Sequence, residues 1–237
     1  MCGRFLFESG SNKTLSALTE KANARLQSEI EKSYAFEEHE QEINRQRIKE
    51  GEVFPSDLIL TLIGDGQSKV GAFGSQWGLN GRSLIINARG ETLMKKKTFA
   101  PLFDKQRCVI PTSGFYEWQH QTSSKKSKDK YFFTVDESEP LYLAGLYQRQ
   151  PNGLRSVIIT REANESMLDF HHRMPLILRQ DELRPWLFDK TFALEAVQEK
   201  NATPQTSTCQ MISAPLDLLT SIKSSPIHFI ENMLKYK

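Results

Sequence analysis

Between residues 51 and 160 the chain is a succession of short apolar runs, each closed by glycine, proline, asparagine or charged residues. They read "LILTLIG" (58–64), "KVGAFGSQWGL" (69–79), "SLIINAR" (83–89), "RCVIPTSGFYEWQ" (107–119), "YFFTVDE" (131–137), "LYLAGLYQRQ" (141–150) and "LRSVIIT" (154–160). Runs this short, rich in β-branched and aromatic residues, are strands. Many strands in succession must bury their apolar faces against one another, which favours a barrel-like or mixed sheet. Asn80-Gly81 predicts a hairpin turn between the second and third runs. "RCVIPTSGFYEWQ" reads as one strand, and "YFFTVDE" and "LYLAGLYQRQ" flank a predicted turn.

Helical patterning is confined to the two sides of this region. Residues 2–8 (CGRFLFE) form a short strand. From Lys13 to about Glu50 the chain is charged and proline-free, with Leu15, Leu18, Ala22 and Leu26 at helical spacing. This predicts two helices broken near Ser33–Ala35. Short helices are expected over Ala163–Phe170, 181–187 and 190–199, with a helical tail from Pro226. The Ser/Lys-rich "QTSSKKSKDK" (121–130) reads as a solvated loop. The expected fold class is α+β, a single domain over 1–237 with a mixed, barrel-like β core and peripheral helices, a helical insertion at about 13–50 and a C-terminal tail from about 224.

Charge and cysteine content narrow the function. A formal net charge of +2 excludes a histone-like polycation, so any nucleic-acid contact must be a local cluster. Three widely spaced cysteines, Cys2, Cys108 and Cys209, make neither a disulfide framework nor a zinc site. With no signal sequence and no run of about 20 apolar residues, the expectation is a cytoplasmic protein without membrane contact.

Candidate chemistry gathers at the ends of the apolar runs. In "CGRF" the alternation of a strand puts Cys2 and Arg4 on one face. In "IINAR" Asn87 and Arg89 share a face, and Glu117 stands between two large aromatics in "GFYEW". His171 and Arg173 are two apart in "DFHHRMP". Each also has a plainer reading: Asn87 as a turn cap, the arginines as surface residues, Glu117 as half of a structural ion pair, and Trp77 and Trp118 as core aromatics. On the residues alone, a soluble α+β domain with a possible cysteine site is as far as the pattern goes.

Taken in order, "MCGRF", "WGL" at Trp77, "IINARGET" at 85–92, "F.PLF" and "RCVIPTSGFYEW" at 99–118, "IIT" at 158–160 and "HHRMPLIL" at 171–178 resemble the SOS response-associated peptidase (SRAP) family. The resemblance covers residues 1 to about 187. It implies an abasic-site processing protein that crosslinks covalently to single-stranded DNA, with Cys2 as nucleophile and Asn87, Glu117 and His171 as its catalytic partners. It implies DNA contacts from Arg4, Trp77, Arg89, Lys97, Thr160 and Arg173, with no metal, no organic cofactor and a monomeric chain. Three departures stand out, the first being "WGLNGRS" at 77–83, where a second tryptophan and a proline often follow "WG". Glu52 occupies the place of an asparagine found in many members, and residues 13–50 are longer than the corresponding region of some.

The chemistry explains a cysteine at position two. Small residues there favour removal of Met1, which would expose an α-amine beside the thiol. A lysine of pKa about 10.4 is well under ~1% free amine at neutral pH, whereas an α-amine near 7.7–8.0 is roughly 10–20% neutral. Such an amine forms an imine with the open-chain sugar aldehyde, and the thiol on the same residue closes a five-membered thiazolidine with a large proximity advantage. Glu117, among Phe115, Tyr116 and Trp118, is expected to be shifted toward neutrality and to serve as acid and base. The competing readings are a cysteine-dependent (auto)peptidase using Cys2, Asn87 and His171, and a passive single-stranded DNA-binding module.

Overall fold

The two longest strands, β9 (Leu141–Gln150) and β10 (Gly153–Glu162), pair antiparallel from Gly153–Gln150 to Ile158–Gly145. Around them the computed structural model, which describes residues 2–33, 47–118, 129–134, 140–198 and 212–215, builds a closed ring. β3 (Leu58–Gly64) and β4 (Val70–Trp77) form a hairpin, whose turn is organised by Asp65 accepting from the backbone N–H of Gln67 and Lys69, each at 2.8 Å. β6 (Arg107–Thr112) joins β3 to β9, and β10 closes onto β4 in parallel through Gln76 and Trp77. The order β10–β4–β3–β6–β9–β10 is a five-stranded mixed barrel, as expected from the succession of apolar runs. Closure removes edges, and it brings backbones close where strands crowd. A Cβ on Gly145 would lie 2.9 Å from the Val157 carbonyl and 3.0 Å from Cys108 Sγ, so only glycine fits there.

A second sheet lies against the barrel in the order β13–β8–β7–β1–β2. Its strands are β1 (Arg4–Phe7), β2 (Gly51–Val53), β7 (Gly114–Trp118), β8 (Lys130–Thr134) and β13 (Ile212–Pro215). The run read as one strand at 107–119 is therefore two strands in two sheets. It breaks at Ser113 because that corner is claimed by β1: Ser113 N–H donates to the Leu6 carbonyl at 2.9 Å, and Thr112 Oγ1 donates to the same oxygen at 2.5 Å. Gly114 completes the corner, since a Cβ there would sit 2.3 Å from the Phe132 ring.

Two other local expectations change. Asn80-Gly81 is not a two-residue hairpin: Leu79 and Ile85 make an isolated antiparallel bridge, and β5 (Asn87–Arg89) instead pairs parallel with β10. β8 and β9 belong to different sheets and do not pair with each other.

The helices pack on the outside. α1 (Lys13–Ser33) is capped by Asn12, whose Oδ1 accepts from the N–H of Thr14 and Leu15. It buries Leu15, Ala22 and Ile30, and Leu26 fills the space that Gly74 leaves open on β4. The second helix expected before residue 50 falls mainly on 34–46, outside the described residues, and 48–50 are not helical. The remaining helices are α2 (Gly90–Leu93), α3 (Ala100–Lys105), α4 (Glu165–Leu168), α5 (Leu183–Phe188) and α6 (Lys190–Gln198). The helix expected over Ala163–Phe170 is thus a single turn. The buried Arg107 donates to the carbonyls of Phe103, Trp186 and Leu187, satisfying the C-terminal ends of α3 and α5. The tail from Pro226 lies outside the described residues.

Candidate active site

Cys2 reaches the barrel through one hydrogen bond. β1 runs antiparallel to β7, with Arg4 opposite Tyr116, so the residues before Arg4 continue toward the Glu117 end of β7. There Asn87 Nδ2 donates to the Cys2 carbonyl oxygen at 2.8 Å. Asn87 is delivered by β5, whose alternation buries Ala88 and turns Arg89 outward. The Cys2 side chain is fully buried, and its Sγ lies 3.8 Å from the Arg4 carbonyl.

The thiol is held protonated. Burial pushes its pKa well above the usual range, and the Glu117 carboxylate nearby pushes in the same direction, outweighing the lowering effects of the N-terminal charge and the Arg4 backbone. Glu117 is itself buried on β7, opposite Tyr131 of β8. The neighbouring sheet strands lock this end through the stacked Phe115–Phe133 pair, at 5.4 Å between ring centres.

His171 arrives from the loop after α4. Its neighbour Phe170 packs edge-on against Tyr131 at 4.7 Å and Phe133 at 5.1 Å, so the loop after α4 is docked on the strand that faces Glu117. The buried His171 ring stacks on His172 at 4.5 Å, and its Nδ1 accepts from the Arg173 backbone N–H at 2.9 Å. The same Nδ1 lies 3.1 Å from the Arg173 carbonyl oxygen, so both backbone groups of Arg173 meet this edge of the ring. Arg173 opens β11 (Arg173–Pro175), and its guanidinium is committed. Nη1 and Nη2 grip Glu91 in a bidentate pair at 2.7 and 3.0 Å, and Nη2 also donates to the Thr160 carbonyl at 2.8 Å. Burial alone would raise the Glu91 pKa, but the hydrogen bonds and charge of Arg173 reverse this, and the carboxyl sits below its usual range.

Trp77 and Thr160 are fully buried. Trp77 Nε1 donates to the Ile86 carbonyl at 3.0 Å, and its ring packs on Phe5 at 5.2 Å, so it braces the residue before Asn87 and the strand behind Cys2 together. Arg89 and Lys97 are exposed, Arg89 at the end of β5 and Lys97 in the turn before α3. The fold thus brings Cys2, Asn87 and Glu117 into one neighbourhood. Trp77 is tied to Ile86 and Phe5, and Thr160 and Arg173 are tied to each other and, through Arg173, to Glu91.

Sequence reading passed over three residues at this site: Glu91, Phe54 and Lys130. Glu91 was visible only as part of "IINARGET". Phe54 is 39% exposed, on a turn where Pro55 and Ser56 reverse the chain, with Asp57 N–H donating to the Phe54 carbonyl and Ser56 at φ +77°. Lys130 closes a lysine-rich stretch that read as solvent, yet as the first residue of β8 it lies 2.6 Å from Glu52. Its alternation with Phe132 in "KYFFT" was the available signal. Among the described residues there is no group of three or more His, Cys, Asp or Glu placed to hold a metal ion, and no helix is long and apolar enough to cross a membrane.

The family model described as SOS response associated peptidase (SRAP) matches residues 1–216. The chain belongs to the SRAP family. SRAP relatives include the abasic site processing proteins YoaM of Bacillus subtilis, 31% identical over 212 residues and 84% of each chain, and YoqW of the same organism, 36% identical over 152 residues. The latter match spans 58% of this chain and 66% of YoqW. The abasic site processing protein HMCES of Xenopus tropicalis is 36% identical over 123 residues, 43% of this chain and 37% of that protein. A solved phage-related protein from Bordetella bronchiseptica shares the fold, with a TM-score of 0.62 at 21% identity over 90% of this chain and 93% of that one.

Proposed function

We propose that the chain processes abasic sites in single-stranded DNA by forming a covalent thiazolidine through Cys2. The observation that carries this reading is the contact from Asn87 to the Cys2 carbonyl beside the Glu117 carboxylate. It fixes the backbone of a terminal residue whose two reactive groups must meet one carbon atom. Met1 lies outside the described residues, and the reaction requires its removal. The freed amine adds to the C1′ aldehyde carbon of the opened sugar and passes one proton to the aldehyde oxygen. Glu117 protonates that oxygen, water leaves, and the second amine proton returns to Glu117 as the imine forms. Sγ then adds to the imine carbon: a C–S bond forms, and the thiol proton passes by way of Glu117 to the nitrogen. Atoms and charges balance with no oxidant or cofactor.

The burial of the thiol beside a carboxylate is unlike the site of a cysteine peptidase. A peptidase of the cysteine type attacks as thiolate, and such sites lower the thiol pKa. Here burial and Glu117 raise it. In thiazolidine closure the amine attacks first, and the thiol gives up its proton to Glu117 only at the second step, when the imine carbon already lies beside it.

The test is a denaturing gel with an oligonucleotide carrying one abasic site, using protein whose intact mass shows that it starts at Cys2. A shifted band is expected, absent in Cys2→Ala and slow to form in Glu117→Gln. No band from such protein would overturn the reading, and peptide hydrolysis lost in Cys2→Ala would replace it.

A further inference from the structure

Two ion pairs share one oxygen. Glu52 Oε1 lies 3.2 Å from Arg4 Nη1 and 2.6 Å from Lys130 Nζ, joining β2, β1 and β8 across the face of the second sheet. Both cations also stand over rings: Arg4 over Phe54 at 4.3 Å and Trp118 at 5.3 Å, and Lys130 over Tyr116 at 3.9 Å. Phe54 is exposed and Trp118 half-buried, while Tyr116 is buried. Two cations beside accessible aromatics are the composition that receives a phosphodiester and its base. Here a carboxylate fills the centre of that arrangement. It offers what a phosphate would offer: negative oxygen accepting from both cations at once.

The carboxylate is also placed to leave. Its side chain is 32% exposed and that of Arg4 37% exposed. Glu52 sits on the three-residue strand β2, which is the edge of its sheet among the described strands, so a change of rotamer carries it to water without opening the core. Arg4 lies two residues from Cys2 on the same segment, so whatever takes over its guanidinium is held beside the nucleophile. Resting on the DNA reading above, we propose that Glu52 is an internal competitor for a backbone-phosphate subsite formed by Arg4 and Lys130. A phosphodiester of the strand displaces it when the DNA seats next to Cys2.

The experiment measures equilibrium binding to an undamaged oligothymidine, which has no aldehyde to capture, across a salt series. With both ion pairs removed, Glu52→Gln is expected to bind several-fold tighter than the parent, about two- to thirty-fold. Its salt dependence should steepen by about 0.7 in log–log slope for the one phosphate no longer opposed. Adding Lys130→Met to Glu52→Gln should return affinity toward the parent value. Glu52→Asn gives the same readout should the glutamine variant fail to fold. Salt-dependent binding by the parent with equal or weaker binding by both neutral variants would overturn the competitor role and leave the DNA reading standing. Absence of binding by parent and variants alike at low salt would overturn the DNA reading itself, and this inference with it.

Discussion

The side-chain amide of Asn87 holds the backbone carbonyl of Cys2 at 2.8 Å across 85 residues of sequence. Few contacts tie down a chain end, and this one fixes the residue on which both reactive groups reside. Asn87→Ala should slow crosslink formation by about 100-fold through lost positioning. It should cost only about 1 kcal/mol of stability, for one hydrogen bond. Asn87→Asp should be as slow, because a carboxylate accepts and cannot donate to a carbonyl. Rates from a gel time course, set beside the melting temperature, separate the two effects.

Removing the negative charge at Glu117 should change the thiol as well as the acid. Burial and that carboxylate both raise the Cys2 pKa, so in Glu117→Gln the thiolate becomes easier to form. The pH profile of Cys2 alkylation should therefore move to lower pH, while crosslinking slows. Cys108, whose pKa burial alone raises, should keep the same resistance to alkylation in parent and variant. Peptide mass mapping after timed alkylation reads both sites. An unmoved Cys2 profile would place Glu117 out of electrostatic reach of the thiol.

Trp77→Phe distinguishes a brace from a base-stacking platform. The substitution leaves the Ile86 carbonyl without its donor and opens space in the core, costing about 1–3 kcal/mol. Because Trp77 is fully buried, affinity for undamaged single-stranded DNA should stay within about two-fold of the parent, since stacking with a base needs an exposed ring. Crosslinking should slow through the displaced Ile86–Asn87 backbone. Loss of affinity with unchanged stability would assign Trp77 to the DNA instead.

Glu91 should contribute to the acid side of the stability profile. Its folded-state pKa is depressed, so its stabilising effect is full above the ordinary carboxyl value of about 4.3. That effect is lost as pH falls from there through the folded-state value. Glu91→Gln removes this titration and should flatten that part of the curve. It should also destabilise the protein at neutral pH by about 2–4 kcal/mol, because the buried Arg173 loses its charge partner. Because the Arg173 backbone holds His171, the crosslinking pH profile should shift in the same variant. Denaturant melts from pH 3 to 7 provide the check.

The strands themselves were legible, because an apolar run bounded by glycine, proline or charge is a local property of the chain. Their partners were not. "IINAR" looked like the return arm of a hairpin at Asn80-Gly81, yet Asn87 pairs in parallel with Ile158. Parallel pairing joins segments with many residues between them, and nothing in either segment announces it. The corner at Ser113 was hidden for a similar reason: it exists because Leu6, more than 100 positions earlier, accepts its hydrogen bonds.

By itself the sequence determined the strand-rich core, the helix from Lys13, and a set of residues whose order resembles one family. It also determined the logic of a second-position cysteine, since the joint chemistry of an amine and a thiol on one residue depends only on covalent structure. The tertiary structure decided what each of the other residues can touch. The family resemblance implies DNA contacts from Arg173, Trp77 and Thr160, and the fold engages them with Glu91, Ile86 and Arg173 respectively. Lys130 reads like solvent-facing charge and Glu52 stands in the place of a family asparagine, but strand pairing sets both around Arg4. Covalent neighbours define what a side chain can do, whereas burial and partner choice come from strand register and barrel closure, which only the whole chain specifies.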